Sequence, residues 1–262
     1  MPIETETEAT RLANLAALAS QLRRMHTPGD PLVLVNAWDV ASAQHVVAAG
    51  CRAVGTSSAA IAASLGLPDD PTAPVPALFD AVARITAAVD VPATADLLDG
   101  YGLDPAELVE RLLASGAVGC NVEDSDHARP GRLLDADVAA ARITAIRTAA
   151  TAAGVDIVIN ARADCYLYAD GDAASDVVAR GRRYVDAGAD CVYPVRLTDP
   201  KQAAALIEKI AAPVNVNWAP GVAVADLAAS GASRVSVGPM AHRATLNALD
   251  EFARRLLGTA VT

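Results

Sequence analysis

The stretch ADLLDGYG, residues 95–102, places two carboxylates at the end of an apolar run and then interrupts the chain with glycine. Residues 91–95 have the composition of a short buried strand, so Asp96 and Asp99 fall where that strand ends. The glycines permit a turn that other residues resist, and Asp104-Pro105 follows as the cap and first position of a helix. A strand, an acidic tip, a glycine turn and a helix place ligands or acid/base groups at the carboxyl end of an α/β sheet.

The same unit recurs along the chain, as apolar strands that alternate with helices. The predicted strands are residues 32–35, 53–56, 91–95, 118–122, 157–161, 191–196, 213–217 and 234–238. A lead-in helix is predicted within residues 4–25 and a closing helix over residues 240–257. Eight strands close a (β/α)8 barrel, also called a TIM barrel. A doubly wound open sheet is the competing topology, but it would normally carry a Gly-x-Gly-x-x-Gly turn after the first strand, which this chain lacks.

Length and composition fit one domain of this kind. The 262 residues are 53% hydrophobic and 20% charged, and a single α/β barrel typically takes about 250 residues, so we predict one barrel domain over residues 1–262. The net charge of −10 argues against binding to nucleic acid or anionic membranes, since basic patches bind both. The chain has no apolar run of the ~18 residues that span a membrane, and its first residues are acidic. We therefore expect a cytoplasmic protein whose four separate cysteines are reduced thiols.

In a barrel the carboxyl ends of all strands face one mouth, so residues far apart in sequence share a site. The polar and aromatic residues at the predicted strand ends are Trp38, Asp39, Ser57, Ser58, Asp96, Asp99, Glu123, Asp124, Arg162, Asp164, Arg196, Asn217 and Trp218. Three or more carboxylates in one mouth repel each other unless a cation joins them, and oxygen ligands favour Mg²⁺ or Mn²⁺. Arg162 can hold a substrate carboxylate in bidentate fashion, and the backbone amides of Ser57 and Ser58 can donate to an oxyanion. Such a set suits the enolate of a 2-oxo acid.

Several of these residues also have structural interpretations. Asp104 and Asp199 are expected to cap helices, and Asp99 fits a glycine turn as well as a ligand role. Asp124 is expected to cap a loop rather than bind a ligand. Arg162 can close an ion pair with the nearby Asp164, although its place at a strand end favours a functional role. His127, in the loop after Glu123, is the one histidine whose position fits an acid or base.

The strand ends resemble those of the isocitrate lyase and phosphoenolpyruvate mutase superfamily. The segments that carry the resemblance are NAWD at 36–39, TSS at 56–58, LGLPD at 65–69, ADLLDGYG at 95–102, NVEDS at 121–125, NARAD at 160–164 and VSVGP at 235–239. Members of this superfamily are α/β barrels that use Mg²⁺ to cleave or form C–C or P–C bonds next to an enolate. The resemblance implies that Asp96 and Glu123 bind the metal and that Asp69 assists. It also implies that Ser57 and Ser58 contact the substrate and that Arg162 binds its carboxylate.

Three departures from the superfamily pattern shape the functional prediction. Leu98 stands where members usually carry a second acidic residue, and Asp99 is the candidate to replace it as a metal ligand. Residues 125–133 lack the cysteine of the Lys-Lys/Arg-Cys-Gly-His loop of isocitrate and methylisocitrate lyases, and the Asn-rich gating loop of the mutases is not evident. Arg196 and Trp218 add a charge and an aromatic wall, so together with Trp38 they are predicted to bind substrate.

The sequence therefore predicts an Mg²⁺-dependent (or Mn²⁺-dependent) lyase that cleaves a C–C bond in a small 2-oxo or 2-hydroxy carboxylate or dicarboxylate. A phosphonomutase of the same superfamily is one alternative, and a non-catalytic member that binds a small carboxylate is another. The apolar residues of the closing helix exceed one narrow stripe, and the resemblance implies exchange of this helix between subunits. We expect a homodimer or homotetramer.

Overall fold

Eight parallel strands and eleven helices make up the part of the chain that the computed structural model describes, residues 7–168 and 172–258. The strands are β1 Leu32–Leu34, β2 Val54–Gly55, β3 Ala93–Asp96, β4 Gly119–Glu123, β5 Val158–Ala163, β6 Cys191–Pro194, β7 Asn215–Asn217 and β8 Arg234–Ser236. The helices are α1 Glu8–Arg24, α2 Val40–Ala48, α3 Ser58–Leu65, α4 Val75–Thr86, α5 Pro105–Ala114, α6 Ala136–Ala152, α7 Cys165–Tyr168, α8 Ala173–Asp186, α9 Pro200–Ile210, α10 Val224–Ala229 and α11 Met240–Leu257.

The strands form a ring. Strands β2 to β6 pair in chain order as a five-stranded parallel sheet, and β1, β8 and β7 pair as a three-stranded one. Two single parallel bridges join the sheets, Ala37 with Thr56 between the ends of β1 and β2, and Val192 with Val214 between β6 and β7. The predicted (β/α)8 barrel is confirmed, with its strand ends gathered at one mouth.

Two helices were not predicted. Helix α3 follows β2 after two residues and reads SAAIAASL, a run of small and apolar residues without a polar face. It forms because Ser57 caps its amino end and Gly66, with φ of 69°, ends it in the left-handed conformation. Helix α7 is one short turn after β5. The predicted caps Asp104 and Asp199 are confirmed, each accepting a hydrogen bond from its own helix.

Helix α1 covers the amino end of the barrel. Its buried residues include Leu15, Ala19 and Leu22. The Arg23 guanidinium donates to the carbonyls of residues 156 and 157 and to Asp190, all of which precede strands β5 and β6. Because α1 covers this end, the opposite end, where the strands finish, is left to form the site. The predicted lead-in helix is thus confirmed from residue 8 onward, and residues 1–6 lie outside the described part.

Helix α11 leaves most of its apolar residues exposed. Its only fully buried residue is His242, whereas Leu249 and Phe252 are 60% and 62% exposed. An apolar groove of about 490 Å³ runs beside its first turns and is lined by valines of β1 and β8 together with Met240. Exchange of α11 between subunits stays a prediction. None of the described helices has the length and hydropathy of a membrane span.

Gly119 at the start of β4 gives a test of how α1 closes the barrel. A Cβ there would lie 2.9 Å from Leu22 Cδ2 and 3.0 Å from the Val158 carbonyl oxygen, so Gly119→Ala should lower the free energy of unfolding by about 1–3 kcal/mol. Urea denaturation measures the change. The double variant Gly119→Ala with Leu22→Ala should lose less unfolding free energy than the two single variants lose together, because the smaller side chain at position 22 relieves one clash. Strict additivity would contradict this packing.

Candidate active site

A cavity of about 580 Å³ opens at the carboxyl ends of the strands. Its polar and aromatic lining comes from all eight strands or the loops that follow them, and from α11. The lining includes Asn36, Ser57, Ser58, Asp69, Asp96, Asn121, Arg162, Tyr193, Arg196, Thr198, Asn217, Trp218, Ser236 and Arg243. The predicted residues Ser57, Ser58, Asp69, Asp96, Arg162, Arg196 and Trp218 thus lie together in one cavity.

Asp96, the last residue of β3, is held in the cavity by neutral donors. Its Oδ2 accepts hydrogen bonds from the Ser58 amide at 3.2 Å and the Ser58 hydroxyl at 3.1 Å. Its Oδ1 accepts from the side-chain amide of Asn121 at 3.2 Å. Because these donors are neutral and no ion pair to Asp96 is present within the described residues, its carboxylate keeps a negative charge that can bind a cation.

The serine amides do not serve as oxyanion donors in this structure. The Ser58 N–H points to Asp96, and the Ser57 N–H donates to the Ala37 carbonyl at 3.3 Å. The Ser57 hydroxyl accepts a hydrogen bond from the amide of Ala60 at the start of α3. The expectation that these amides donate to an oxyanion is therefore corrected, because Asp96 at the end of β3 and the Ala37 carbonyl after β1 accept from them.

Arg162 in β5 is bound to two carboxylates. Its Nε and Nη2 donate to the two oxygens of Asp164 at 2.6 and 2.9 Å, and its Nη1 lies 2.5 Å from Glu123 Oε2. The internal ion pair with Asp164 is thus present, and the same guanidinium lines the cavity. A guanidinium carries five N–H groups, so N–H groups remain for a substrate anion.

Glu123 lies behind this arginine and outside the cavity lining. Besides Arg162, it contacts the His127 imidazole, whose Nε2 is 2.9 Å from Glu123 Oε1. Burial raises the pKa of the Glu123 carboxyl, and the positive charge of Arg162 opposes that rise. The predicted metal ligand Glu123 is therefore already neutralised by cationic and imidazole partners.

Asp124 is neither a loop cap nor a cavity residue. Its Oδ1 accepts from the Asp164 amide at 2.8 Å, and its Oδ2 accepts from the Tyr184 hydroxyl at 2.6 Å and from Arg180 at 3.1 Å. Only 1% of Asp124 is exposed. The residue ties the ends of β4 and β5 to α8, which fixes the backbone that carries Arg162.

Besides Glu123, two further predicted site residues lie outside the cavity. Trp38 packs edge-on against His242 with ring centroids 4.9 Å apart, because the chain turns into α2 directly after β1. Asp99 accepts a hydrogen bond from the Tyr101 amide and lies 3.4 Å from Arg142, so it shapes the glycine turn and does not replace the acidic residue absent at Leu98.

The structure does not bring the predicted metal ligands Asp96, Glu123 and Asp99 together. Within residues 7–168 and 172–258, no three His, Cys, Asp or Glu side chains are close enough to hold a metal ion. The donor chemistry still fits Mg²⁺, which usually keeps several waters and is bound by one or two carboxylates and the substrate. Asp96 has such a carboxylate in the cavity, and its charge adds to the burial that raises the pKa of Asp69.

Arg243 was missed from the sequence. It lies in the first turn of α11, seven residues after the last residue of β8, and lines the cavity. Arg196, in the loop after β6, also lines the cavity. Its backbone has a φ of 69°, and its N–H donates to Asn217 Oδ1 at 2.7 Å. Neither arginine has a carboxylate ion-pair partner in the described ranges, so both leave positive charge at the mouth.

Eight parallel strands with acidic and basic residues at one mouth define an α/β-barrel enzyme site, and comparisons specify the family. The profile of the phosphoenolpyruvate phosphomutase family matches residues 22–257. A candidate phosphonomutase of Burkholderia cenocepacia J2315 is 37% identical with a TM-score of 0.86, covering 92% of this chain and 99% of that one. Oxaloacetate acetylhydrolase in complex with its product oxalate is 25% identical with a TM-score of 0.81, covering 95% and 90%. The 2-methylisocitrate lyase of Bacillus subtilis (strain 168) is 27% identical over 76% of this chain and 67% of its own length.

The chain belongs to the phosphoenolpyruvate phosphomutase family, within the superfamily shared with isocitrate lyase. The members of this superfamily are lyases or mutases, as the names of its relatives record. The resemblance inferred from the strand ends is confirmed.

The contact between His127 and Glu123 predicts a titration. The hydrogen bond to Glu123 is the largest cause that raises the pKa of His127 above its ordinary 6.5. The folded protein then binds the proton more tightly than the unfolded chain, so the stabilisation is fully present below pH 6.5 and is lost as pH rises through the raised pKa. NMR titration of the His127 imidazole measures it.

Glu123→Gln serves as the comparison for this titration, since it removes the carboxylate charge and keeps the side-chain length. Its His127 should titrate at lower pH than in the unsubstituted protein. A His127 pKa below 6.5 in the unsubstituted protein would contradict the geometry.

Proposed function

We propose that the protein is an Mg²⁺-dependent lyase that cleaves a C–C bond in a small 2-oxo or 2-hydroxy carboxylate or dicarboxylate through a pyruvate-like enolate. One observation carries the proposal: Asp96, a carboxylate without an ion pair among the described residues, lines the same cavity as the Arg162 guanidinium. The first suits a hard cation and the second a substrate carboxylate. A cation held by Asp96 and a substrate carboxylate held by Arg162 are the two interactions that stabilise an enolate in this proposal.

In this mechanism Asp96 would hold the cation, together with water. When bound, Mg²⁺ supplies positive charge that stabilises an enolate oxygen. Arg162 orients the substrate carboxylate through the N–H groups that Asp164 and Glu123 leave unused. Its own position is fixed by two carboxylates, so little reorganisation is needed when the substrate binds.

Asp69 is the cavity residue suited to exchange a proton. Burial raises the pKa of its carboxyl, and the neighbouring Asp96 charge adds to the rise, while the positive charge of Arg162 opposes it. A carboxyl whose pKa is moved towards neutrality is a better general acid or base than an ordinary aspartate. The loop that carries a reactive cysteine in isocitrate and methylisocitrate lyases holds His127 instead, and this histidine is engaged with Glu123.

A phosphonomutase is the second candidate. Arg196 and Arg243 add two cationic groups to the cavity without carboxylate partners in the described residues, and a phosphoryl-bearing enolpyruvate carries more negative charge than a 2-oxo acid. The 37% identity to a candidate phosphonomutase supports it as well. Detection of a P–C bond in the product by ³¹P NMR would favour this activity over a lyase.

Oxalate, a planar dianion that resembles enolpyruvate, tests the site by calorimetry. We expect binding that depends on Mg²⁺ and weakens by about 10- to 100-fold in Asp96→Asn, since a contact to a charged group contributes about 1.5–3 kcal/mol. Arg162→Lys should weaken it similarly because lysine cannot donate in bidentate fashion. Arg162→Ala is less suitable, since it would leave Glu123 and Asp164 buried without their cation.

Asp99→Asn is the matched control for this experiment, because Asp99 is an aspartate three residues after Asp96 that lies outside the cavity. Its oxalate affinity should equal that of the unsubstituted protein. A screen of 2-oxo and 2-hydroxy acids for pyruvate release would then identify the reaction. Absence of oxalate binding with and without Mg²⁺ would overturn the proposed function.

We also propose that the protein assembles as a homodimer or homotetramer through α11. Five large apolar side chains of this helix are 47% to 76% exposed, Leu246, Leu249, Phe252, Leu256 and Leu257, and the apolar groove beside β1 and β8 offers a surface to bury such a helix from a second copy. The proposed interface would include α11, the helix that carries Arg243. The cavity lining described above nevertheless comes from one chain.

Leu249→Glu with Phe252→Glu should dissociate the assembly, because charges would be buried in an apolar contact. Size-exclusion chromatography with light scattering measures the mass. Asn247→Glu is the control, since it adds a charge to an exposed position of the same helix and should leave the assembly intact. A monomeric unsubstituted protein would contradict the proposal.

A further inference from the structure

A guanidinium lies buried inside the barrel, below the cavity. Arg234 in β8 is 1% exposed. Its Nη2 donates to Asn121 Oδ1 at 3.1 Å, while its Nε and Nη1 have no hydrogen-bond partner in the described part of the chain. No carboxylate of that part lies within ion-pair distance of it. Burying a charge without a counterion is costly, and an apolar side chain of similar length would avoid that cost.

Other buried or half-buried arginines of the barrel do have carboxylate partners. Arg162 contacts Glu123 and Asp164, Arg180 contacts Asp124, and Arg147 contacts Asp190. Arg234 therefore differs from them, and its cost must be balanced by something other than a direct ion pair. The negative charge of Asp96 favours the charged form of the Arg234 guanidinium.

Asn121 in β4 connects Arg234 to Asp96. Its Oδ1 accepts two hydrogen bonds, from Arg234 and from Asn160 Nδ2 at 2.8 Å. Its Nδ2 donates to Asp96 Oδ1 at 3.2 Å. An amide turned by 180° would direct its NH₂ group at two donors and its oxygen at a carboxylate, so only one orientation is compatible with all three contacts.

We propose that Arg234 is a positioning residue for Asp96. With Asn160 it fixes the side-chain amide of Asn121, and that amide holds the Asp96 carboxylate in its cavity orientation. Arg234 also places a positive charge on the core side of Asp96, where solvent does not screen it. The inference deepens the proposed function. Its ligand-binding test rests on that function, whereas its test on ligand-free protein does not.

The first test uses ligand-free protein labelled with ¹⁵N-asparagine, in which Asn121→Ala assigns the Asn121 side-chain signals. In Arg234→Met these signals should shift and broaden, because one of the two donors that fix the amide is gone. Unchanged Asn121 signals in Arg234→Met would overturn the inference, whatever ligand the protein binds.

The second test measures oxalate affinity with Mg²⁺. Arg234→Met should weaken binding by about 10- to 100-fold, as expected for a residue that orients a ligand-binding group, and its melting temperature should be equal or higher because a buried unpaired charge is removed. Asn121→Ala should lose a similar factor. The double variant should be no weaker than the weaker single one, since Arg234 acts through Asn121. Arg234→Lys, which keeps the charge, should recover part of the affinity.

Arg147→Met is the matched control, because Arg147 forms an ion pair with Asp190 at the opposite end of the barrel. It should lower the melting temperature and leave oxalate affinity unchanged. If the Arg234→Met variant fails to fold, or loses stability with unchanged oxalate affinity, Arg234 has only a structural role and the inference is overturned. Additive losses in the double variant would overturn its route through Asn121. If the unsubstituted protein binds no oxalate, the proposed function fails and the Asn121 signals alone decide.

Discussion

The parallel register between β4 and β5 is the constraint on which the site depends. It pairs Glu123 with Arg162 directly across the two strands, so a carboxylate and a guanidinium must meet at the edge of the barrel. Asp164, two residues beyond Arg162, completes the contact, and Asp124 anchors the backbone of both strand ends through Tyr184 and Arg180. A slip of one residue would turn each of these side chains to the other face of its strand. The register of β4 against β5 is therefore what gives Arg162 a single orientation.

This arrangement separates two kinds of acidic residue at the mouth. Glu123, Asp124 and Asp164 are buried and are balanced by arginines or hydroxyl groups. Asp96 and Asp69 line the cavity without such ion pairs in the described residues. Sequence position alone does not separate them, since most of them stand at or just after strand ends. Their partners decide which ones remain available to a ligand.

The barrel could be predicted because eight apolar segments recur with helices between them, and the caps Asp104 and Asp199 have local signals that need no tertiary information. Helix α3 could not, since SAAIAASL has no polar face and its cap Ser57 also fits a strand end. The cavity position of Arg162 follows from its strand end, but its partner Glu123 depends on register between strands. Arg243 was missed because it comes from a helix, and Trp38 was misplaced because the direction of a side chain just after a strand depends on the packing of His242.

Leu98 has a left-handed backbone, with φ of 49°, which costs a leucine roughly 1–2 kcal/mol and which Asp or Asn adopts more readily. Its buried side chain offsets that strain by a comparable amount, about 1.5–3 kcal/mol. The resemblance implies an acidic residue at this position in relatives. The loop thus already has the shape that an aspartate would favour, so Leu98→Asp would place a carboxylate on this turn without rebuilding the backbone.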